Sequence, residues 1–279
     1  MPELPEVETI RLSLAKNIIG KTIKEVSVIE EKQFHGQKKD ILGKKVIGLN
    51  RTGKILAIEL SGGLFINIHL KLTGQLLFHK DKNNAVFKTN IPFSSTNKMP
   101  GKTTRIIFYF NDNSALFFND MRKFGWIKVA KKAEEPKSLD VLSPDFTLDY
   151  FSKAISKTAR PIKIALMDQD KLAGVGNIYA NEALFRARIN PFKPAKNLNY
   201  KEVKVLYQKV IETIKDGIKH KGTTAGDEAY IAPLGDRGDF QTIAQVYQKE
   251  GKPCQGCKGT VKRIKQGGRS TFYCPTCQK

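Results

Sequence analysis

Leu64-Phe65-Ile66-Asn67-Ile68-His69-Leu70-Lys71-Leu72 decides the fold of the first half of this chain. Leucine or isoleucine fills every even position and the odd positions are mixed, the period-two pattern of a strand with one face in a core. Ser61-Gly62-Gly63 precede it as a turn. Working outward, 22–30, 45–50, 54–60, 104–111 and 114–119 also read as strands, with turn residues such as Asn111-Asp112-Asn113 between them. Several short strands without intervening helices imply an antiparallel sandwich or barrel. In front of them Val7, Ile10, Leu14 and Ile18 recur at helical spacing, so a helix leads the domain. Lys80 to Lys102, rich in Asn, Lys, Ser, Thr and Pro, reads as a long loop.

Composition changes after Val129. Lys131 to Pro144 carries charge, two prolines and few apolar residues, as a linker does. Helical periodicity then returns at 147–156, 161–168, 177–187 and 200–219. The expected division is a sandwich domain over 1–130, a linker over 131–146, a helical domain over 147–244 and a terminal module over 245–279. Within the helical domain, glycines, Thr223-Thr224 and acidic residues break the pattern between Gly222 and Phe240. A mobile loop is expected over 222–240, and loops of that length in compact proteins are often functional.

The chain has 279 residues, of which 40% are hydrophobic, enough for about two domains with real cores. Forty-eight Lys and Arg against 27 Asp and Glu give a net charge of +21, which argues for a polyanionic partner and first of all nucleic acid. A membrane surface competes, but no strongly amphipathic basic helix with an aromatic face supports it. No apolar run approaches the roughly 18 residues of a membrane span, and no charged-then-apolar leader is seen. A soluble cytoplasmic protein is expected, and a monomer, since neither a heptad repeat nor a clear dimer face is present.

Cys254-x2-Cys257 and Cys274-x2-Cys277, 16 residues apart, have the spacing of two knuckles around one tetrahedral zinc. Four thiolates leave no open position for water, so one structural Zn2+ is expected. Two disulfides are the alternative, disfavoured in a reducing compartment. Residues 245–279 carry eight Lys/Arg and one Glu, which suits a module that touches phosphates.

At the other end stands Met1-Pro2-Glu3-Leu4-Pro5-Glu6. Removal of Met1 would expose a proline whose secondary amine, with an ordinary pKa of about 8, is far more nucleophilic at neutral pH than a lysine side chain. Condensed with an aldehyde, it gives an iminium with no N–H to lose, an electron sink for elimination at the next carbon. The plainer reading is that Pro5-Glu6 opens an amphipathic helix.

In the middle, Gly174-Val175-Gly176-Asn177 leads into Ile178-Tyr179-Ala180-Asn181-Glu182-Ala183-Leu184-Phe185. Asn177 fits a helix N-cap, and the glycines would let a phosphate reach backbone N–H groups at the positive end of the dipole. A capped turn without ligand is the alternative. The third glycine of a dinucleotide fingerprint is missing.

These three stretches, the opening hexapeptide, GVGNIYANEALF and the closing RSTFYCPTCQK, resemble the bacterial formamidopyrimidine-DNA glycosylase family in order and across the whole chain. The resemblance implies an α+β protein: an N-terminal antiparallel β-sandwich with a leading helix, then a helix-two-turn-helix domain and a C-terminal zinc finger. It implies a bifunctional enzyme on damaged double-stranded DNA that excises oxidised purines, 8-oxoguanine and formamidopyrimidines, and nicks the strand by β,δ-elimination. No organic cofactor is implied, and the enzyme would work in the cytoplasm in association with the bacterial nucleoid.

Carried over onto this chain, Pro2 is the nucleophile at C1′, Glu3 the acid for the opening deoxyribose, Glu6 a supporting carboxylate and Lys54 a phosphate holder that assists proton transfer. Arg269 matches the arginine assigned to the last elimination. A guanidinium stays protonated, so phosphate binding suits it better than proton donation. The target must be flipped out and its gap filled. Phe124 and Arg122 match two of the filling side chains, and Leu72 stands where methionine is usual. Arg160 and Lys163 stand for a basic cluster before the helical core. Where the family often has Lys-His-Asp-His, this chain has Lys102-Thr103-Thr104-Arg105, so Lys102 or Arg105 would replace a phosphate-contacting histidine. The 222–240 loop resembles the one that caps the flipped base. Two other readings stand beside this one: an endonuclease VIII-like glycosylase for oxidised pyrimidines, disfavoured by Leu4 and the long loop, and a non-catalytic zinc-finger DNA-binding protein, which has no need of Pro2-Glu3 or Lys54.

Overall fold

The structure is a computed structural model that describes residues 2–224 and 230–279. Met1 and residues 225–229 of the expected loop lie outside the described residues. The chain forms two compact units, Met1–Glu135 with Lys221–Asp239, and Pro136–His220 with Phe240–Lys279.

The first unit opens with α1 (Leu4–Ile18), whose Val7, Ile10, Leu14 and Ile18 are buried at the expected helical spacing. Nine strands follow: β1 (Ile23–Val28), β2 (Phe34–His35), β3 (Val46–Thr52), β4 (Ile55–Leu60), β5 (Leu64–His69), β6 (Gly74–His79), β7 (Thr104–Phe110), β8 (Ala115–Asp120) and β9 (Trp126–Ala130). They form a four-stranded sheet in the order β1-β7-β8-β6 and a five-stranded sheet in the order β2-β9-β5-β4-β3. All pairings are antiparallel except that of β2 with β9. One core holds side chains of α1 together with Ile58, Ile66 and Ile68 of one sheet and Phe78, Phe108 and Phe118 of the other. That shared core makes the unit a sandwich.

Strands β6 and β9 escape the sequence pattern. In β6, Leu76 and Phe78 face the shared core while Leu77 enters a second cluster with Phe117, Phe87, Ile91 and Met99, so both faces are apolar and no alternation survives. The second cluster explains the 80–102 segment. It has no strand or helix of its own, yet its Ala85, Phe87, Ile91 and Met99 cover the outer face of the four-stranded sheet.

Residues 221–239 pack with the sandwich unit, whereas the sequence reading placed 222–240 with the helices. Side chains make the difference: Tyr230 and Ala232 enter the sandwich core, Ile231 between them enters the second cluster, and Phe78 N–H donates to Pro233 C=O at 2.7 Å.

The second unit contains α2 (Leu148–Ser156), α3 (Ile162–Leu166), α4 (Asn177–Arg186) and α5 (Tyr200–Lys219), then a hairpin of β10 (Lys262–Gln266) and β11 (Arg269–Tyr273). Every residue of α4 from Asn177 to Phe185 is buried. Its polar residues act as anchors. Glu182 accepts the N–H groups of Gln245, Val246 and Tyr247 at 2.8, 2.9 and 2.8 Å, and Asn181 Oδ1 accepts Phe272 N–H at 2.8 Å. Burial raises the Glu182 pKa while those three donors oppose the rise. The hairpin was not expected, because β10 is exposed and mostly basic and takes its extended form from pairing with β11.

Candidate active site and nucleic-acid interface

Helix α1 begins at Leu4 with Pro5 in its first turn, so the helix-start reading of Pro5-Glu6 describes the local structure correctly. The Glu6 carboxylate is spent on backbone: Oε2 accepts Glu3 N–H at 2.8 Å and Oε1 accepts Thr223 N–H at 2.9 Å. One side chain thus fixes residue 3 and the start of the 221–239 segment. Gly222 permits the approach, since it has φ +81° and a Cβ there would lie 2.8 Å from Glu6 Oε1. Pro2 and Glu3 are buried beside this turn.

The next helical turn reaches the sheet. Glu8 accepts from Arg11 Nη2 at 2.6 Å and from Arg51 Nε at 2.9 Å, and Arg51 Nη1 donates to Gly53 C=O at 2.9 Å. Burial works against the Glu8 charge, yet the hydrogen bonds from Arg11 and Arg51 hold its pKa below the ordinary carboxylate value. Lys54 sits in the turn so fastened, between β3 and β4, and is 6% exposed, so it is not a solvated surface lysine.

His69, at the end of β5, is a group the sequence reading passed over. Burial, then the charges of Lys71 and Lys54, push its pKa down to about 3. Its Nδ1 accepts Lys71 N–H at 3.0 Å, so in the neutral ring the proton sits on Nε2 as a donor. The signal was a histidine on the outward face of an alternating strand, two residues from a lysine.

Leu72 lies on the turn that joins β5 to β6, and Arg122 and Phe124 on the turn that joins β8 to β9. Leu72 is half-buried and Arg122 exposed. Phe124 is 58% exposed, an unusual setting for a phenylalanine. Lys102 is exposed, whereas Arg105 is half-buried and spends its guanidinium on the carbonyls of Asp120 at 2.9 Å and Lys102 at 3.2 Å.

In the second unit Arg160 is exposed and pairs with Asp168 at 3.2 Å. Lys163, read from sequence as part of the same basic cluster, lies in the interior. It is 0% exposed, and Nζ donates to Ser270 C=O and Thr271 Oγ1, both at 2.8 Å. A buried ammonium must spend its protons on acceptors, and here they belong to the strand that begins at Arg269. Arg269 itself is exposed, directly after a Gly267-Gly268 turn in which both residues have positive φ, the conformation a two-residue hairpin loop demands. Asn177 is also not the expected N-cap. Gly176 holds that position, and Asn177 is the buried first residue of α4 with its C=O bonded by Asn181 Nδ2 at 2.6 Å.

Cys254, Cys257, Cys274 and Cys277 bring their sulfurs within 4.8 Å of one another. Sγ–Sγ separations of 3.7 and 3.6 Å match the edges of a tetrahedron with Zn–S bonds of about 2.3 Å and exclude disulfides. Gly256 and Gly259 N–H groups donate to Cys254 and Cys257 sulfurs at 3.4 and 3.2 Å, which supports thiolate charge. The four cysteines form a structural zinc site.

A sandwich with a buried N-terminal Pro-Glu pair, and a helical unit closed by a zinc finger, define a two-unit α+β zinc-finger protein of the kind that acts on nucleic acid. The description "Formamidopyrimidine-DNA glycosylase N-terminal domain" matches residues 1–127, "Formamidopyrimidine-DNA glycosylase H2TH domain" 138–228, and "Zinc finger found in FPG and IleRS" 251–279. A formamidopyrimidine-DNA glycosylase of Pelotomaculum thermopropionicum is 37% identical over 291 residues, covering 100% of this chain and 99% of the relative. The crystal structure of the MutM (FPG) protein from Thermus thermophilus is 34% identical and superposes with a TM-score of 0.87 over 99% of this chain and 98% of that one. Lactococcus lactis Fpg in complex with DNA containing an abasic site is 29% identical, with a TM-score of 0.85 and full coverage of both chains. The chain belongs to the formamidopyrimidine-DNA glycosylase family.

Proposed function

We propose that this protein is a bifunctional DNA glycosylase and abasic-site lyase of base excision repair, acting on oxidised purines in double-stranded DNA. The observation that carries the reading is Pro2 beside Glu3 at the buried start of α1, in a chain whose relatives match it from end to end. Met1 is removed, and the Pro2 nitrogen attacks C1′ of the flipped nucleotide. The C1′–base bond breaks and the base leaves with the proton the amine gives up; protonation of the ring oxygen by Glu3 then opens the deoxyribose as the freed nitrogen lone pair forms the C=N bond of the iminium. That cation acidifies the C2′ proton. Its loss expels the 3′ phosphate, and a second elimination expels the 5′ phosphate.

Lys54 and the His69 Nε2–H supply donors to phosphate in the first unit, and Glu6 holds Glu3 and the capping segment in register. Leu72, Arg122 and Phe124 fill the gap left by the flipped base. Lys102, Arg160, Arg269 and the N-terminal amides of α4 at Asn177 bind backbone phosphates. The zinc holds the module that carries Arg269, and the iminium chemistry calls for no organic cofactor. No helix among the described residues is long and apolar enough to cross a membrane. The substrate, chromosomal DNA, puts the place of work in the cytoplasm.

Borohydride trapping tests the reading on a duplex with one 8-oxoguanine opposite cytosine, the cross-linked peptide being mapped by mass spectrometry. The expected product is a covalent adduct on Pro2. If the zinc-loaded, N-terminally processed protein binds the duplex yet gives no adduct, the oxidised-purine assignment is lost.

A further inference from the structure

Asp120, the last residue of β8, is 0% exposed and carries no role in the chemistry above. Its carboxylate is surrounded by four donors. Oδ1 accepts the Thr73 hydroxyl and, at 3.2 Å, Arg122 N–H, while Oδ2 accepts Gln33 Nε2 at 3.0 Å and Gly125 N–H at 2.7 Å. Arg105, the neighbouring cation, bonds the Asp120 carbonyl instead of the carboxylate. A buried carboxylate that accepts four hydrogen bonds is a geometric hub, because each donor fixes the direction of one lone pair.

Three of the four donors come from the two turns that carry the gap-filling side chains, and Gln33 comes from just before β2. Thr73 follows Leu72, and its hydroxyl both donates to Asp120 and accepts Arg122 N–H at 3.0 Å. Gly125 follows Phe124, and a Cβ there would lie 2.8 Å from Phe118 Cζ, 3.0 Å from His69 C=O and 3.1 Å from Asp120 Oδ2. The Leu72 turn is closed by Gly74 N–H to Leu70 C=O at 2.9 Å with Lys71 at φ +52°, and the other turn has Lys123 at φ +58°. Both conformations are uncommon for residues with a Cβ and persist where the surroundings impose them.

We propose that Asp120, through Thr73, is a positioning residue that locks the Leu72 turn and the Arg122–Phe124 turn into one rigid wedge that enters the DNA as a unit. The proposal rests on the gap-filling reading of Leu72, Arg122 and Phe124. Prying apart a base stack costs a few kcal/mol per step, and a wedge whose two prongs yield independently would dissipate that force into its own backbone. A platform already fixed loses little freedom on insertion.

Thr73→Val removes the hydroxyl that joins the turns while keeping nearly the same volume, and Thr73→Ser restores it. Three quantities are read for each variant: 8-oxoguanine excision from duplex, borohydride trapping on a single-stranded abasic oligonucleotide that needs no wedge, and hydrogen exchange of the Arg122 and Gly125 amides. The expected result for Thr73→Val is duplex excision slowed about tenfold, the rate equivalent of roughly one net hydrogen bond. Single-strand trapping should be unchanged and exchange at both amides faster, with Thr73→Ser recovering all three. Duplex and single-strand reactions falling together would reduce the network to general stabilisation and overturn the proposal, as would duplex excision unaffected by faster exchange. Wild-type protein that cross-links neither DNA would instead remove the catalytic reading on which the proposal stands.

Discussion

At residue scale the chemistry-bearing positions separate into those that sequence spacing exposes and those that only packing can. The four cysteines are legible because their chemistry is written in position and interval. His69 is not, because on an alternating strand a histidine looks like any outward residue, and its character comes first from burial and then from Lys71 and Lys54, placed around it by the fold. Its pKa of about 3 fixes a sign. The unfolded chain takes up a proton on this ring near the ordinary value of about 6.5 and the folded protein does not, so the contribution is whole above that pH and is lost as pH falls from there towards about 3. In urea denaturation at a series of pH values, His69→Gln should flatten the fall in stability across this interval. An unaltered slope would mean that the ring titrates normally in the folded protein.

At element scale the reading found α2 to α5 and strands such as β7 and β8, which bury both faces, but it missed β6 and β10. Helices α2 and α5 and strand β5 show their period in sequence. Strand β6, apolar on both faces, and β10, held by its partner alone, do not. The burial of Lys163 is not legible either: a charge looks solvated in sequence whatever its true surroundings, and the acceptors that make burial tolerable, at Ser270 and Thr271, lie more than a hundred residues away. Removing it strands both acceptors against α3. Lys163→Met should therefore destabilise the zinc module by about 1–3 kcal/mol, the cost of leaving buried polar groups unpaired, and quicken amide exchange through β10 and β11. Stability equal to wild type would show that the hairpin does not depend on the lysine.

At the scale of the whole molecule, the net charge of +21 was the feature of the sequence that translated most directly into a class of partner. Exposed Lys102, Arg122, Arg160 and Arg269 are spread over both units, so affinity for DNA should come from many weak phosphate contacts. Between about 50 and 200 mM salt, binding followed by fluorescence anisotropy should weaken at least roughly a thousandfold, the loss expected for about six phosphate contacts. A nearly flat salt dependence would mean that these cations do not form the footprint.

The composition of the sandwich unit has a further bearing on how the chain comes into being. A ribosome delivers the nine strands first, but Tyr230, Ile231 and Ala232, which complete both apolar clusters of that unit, emerge only after α2 to α5. The sandwich unit is thus begun first and finished late. Until residues 230–232 have been made, the nascent sandwich lacks part of both of its apolar clusters.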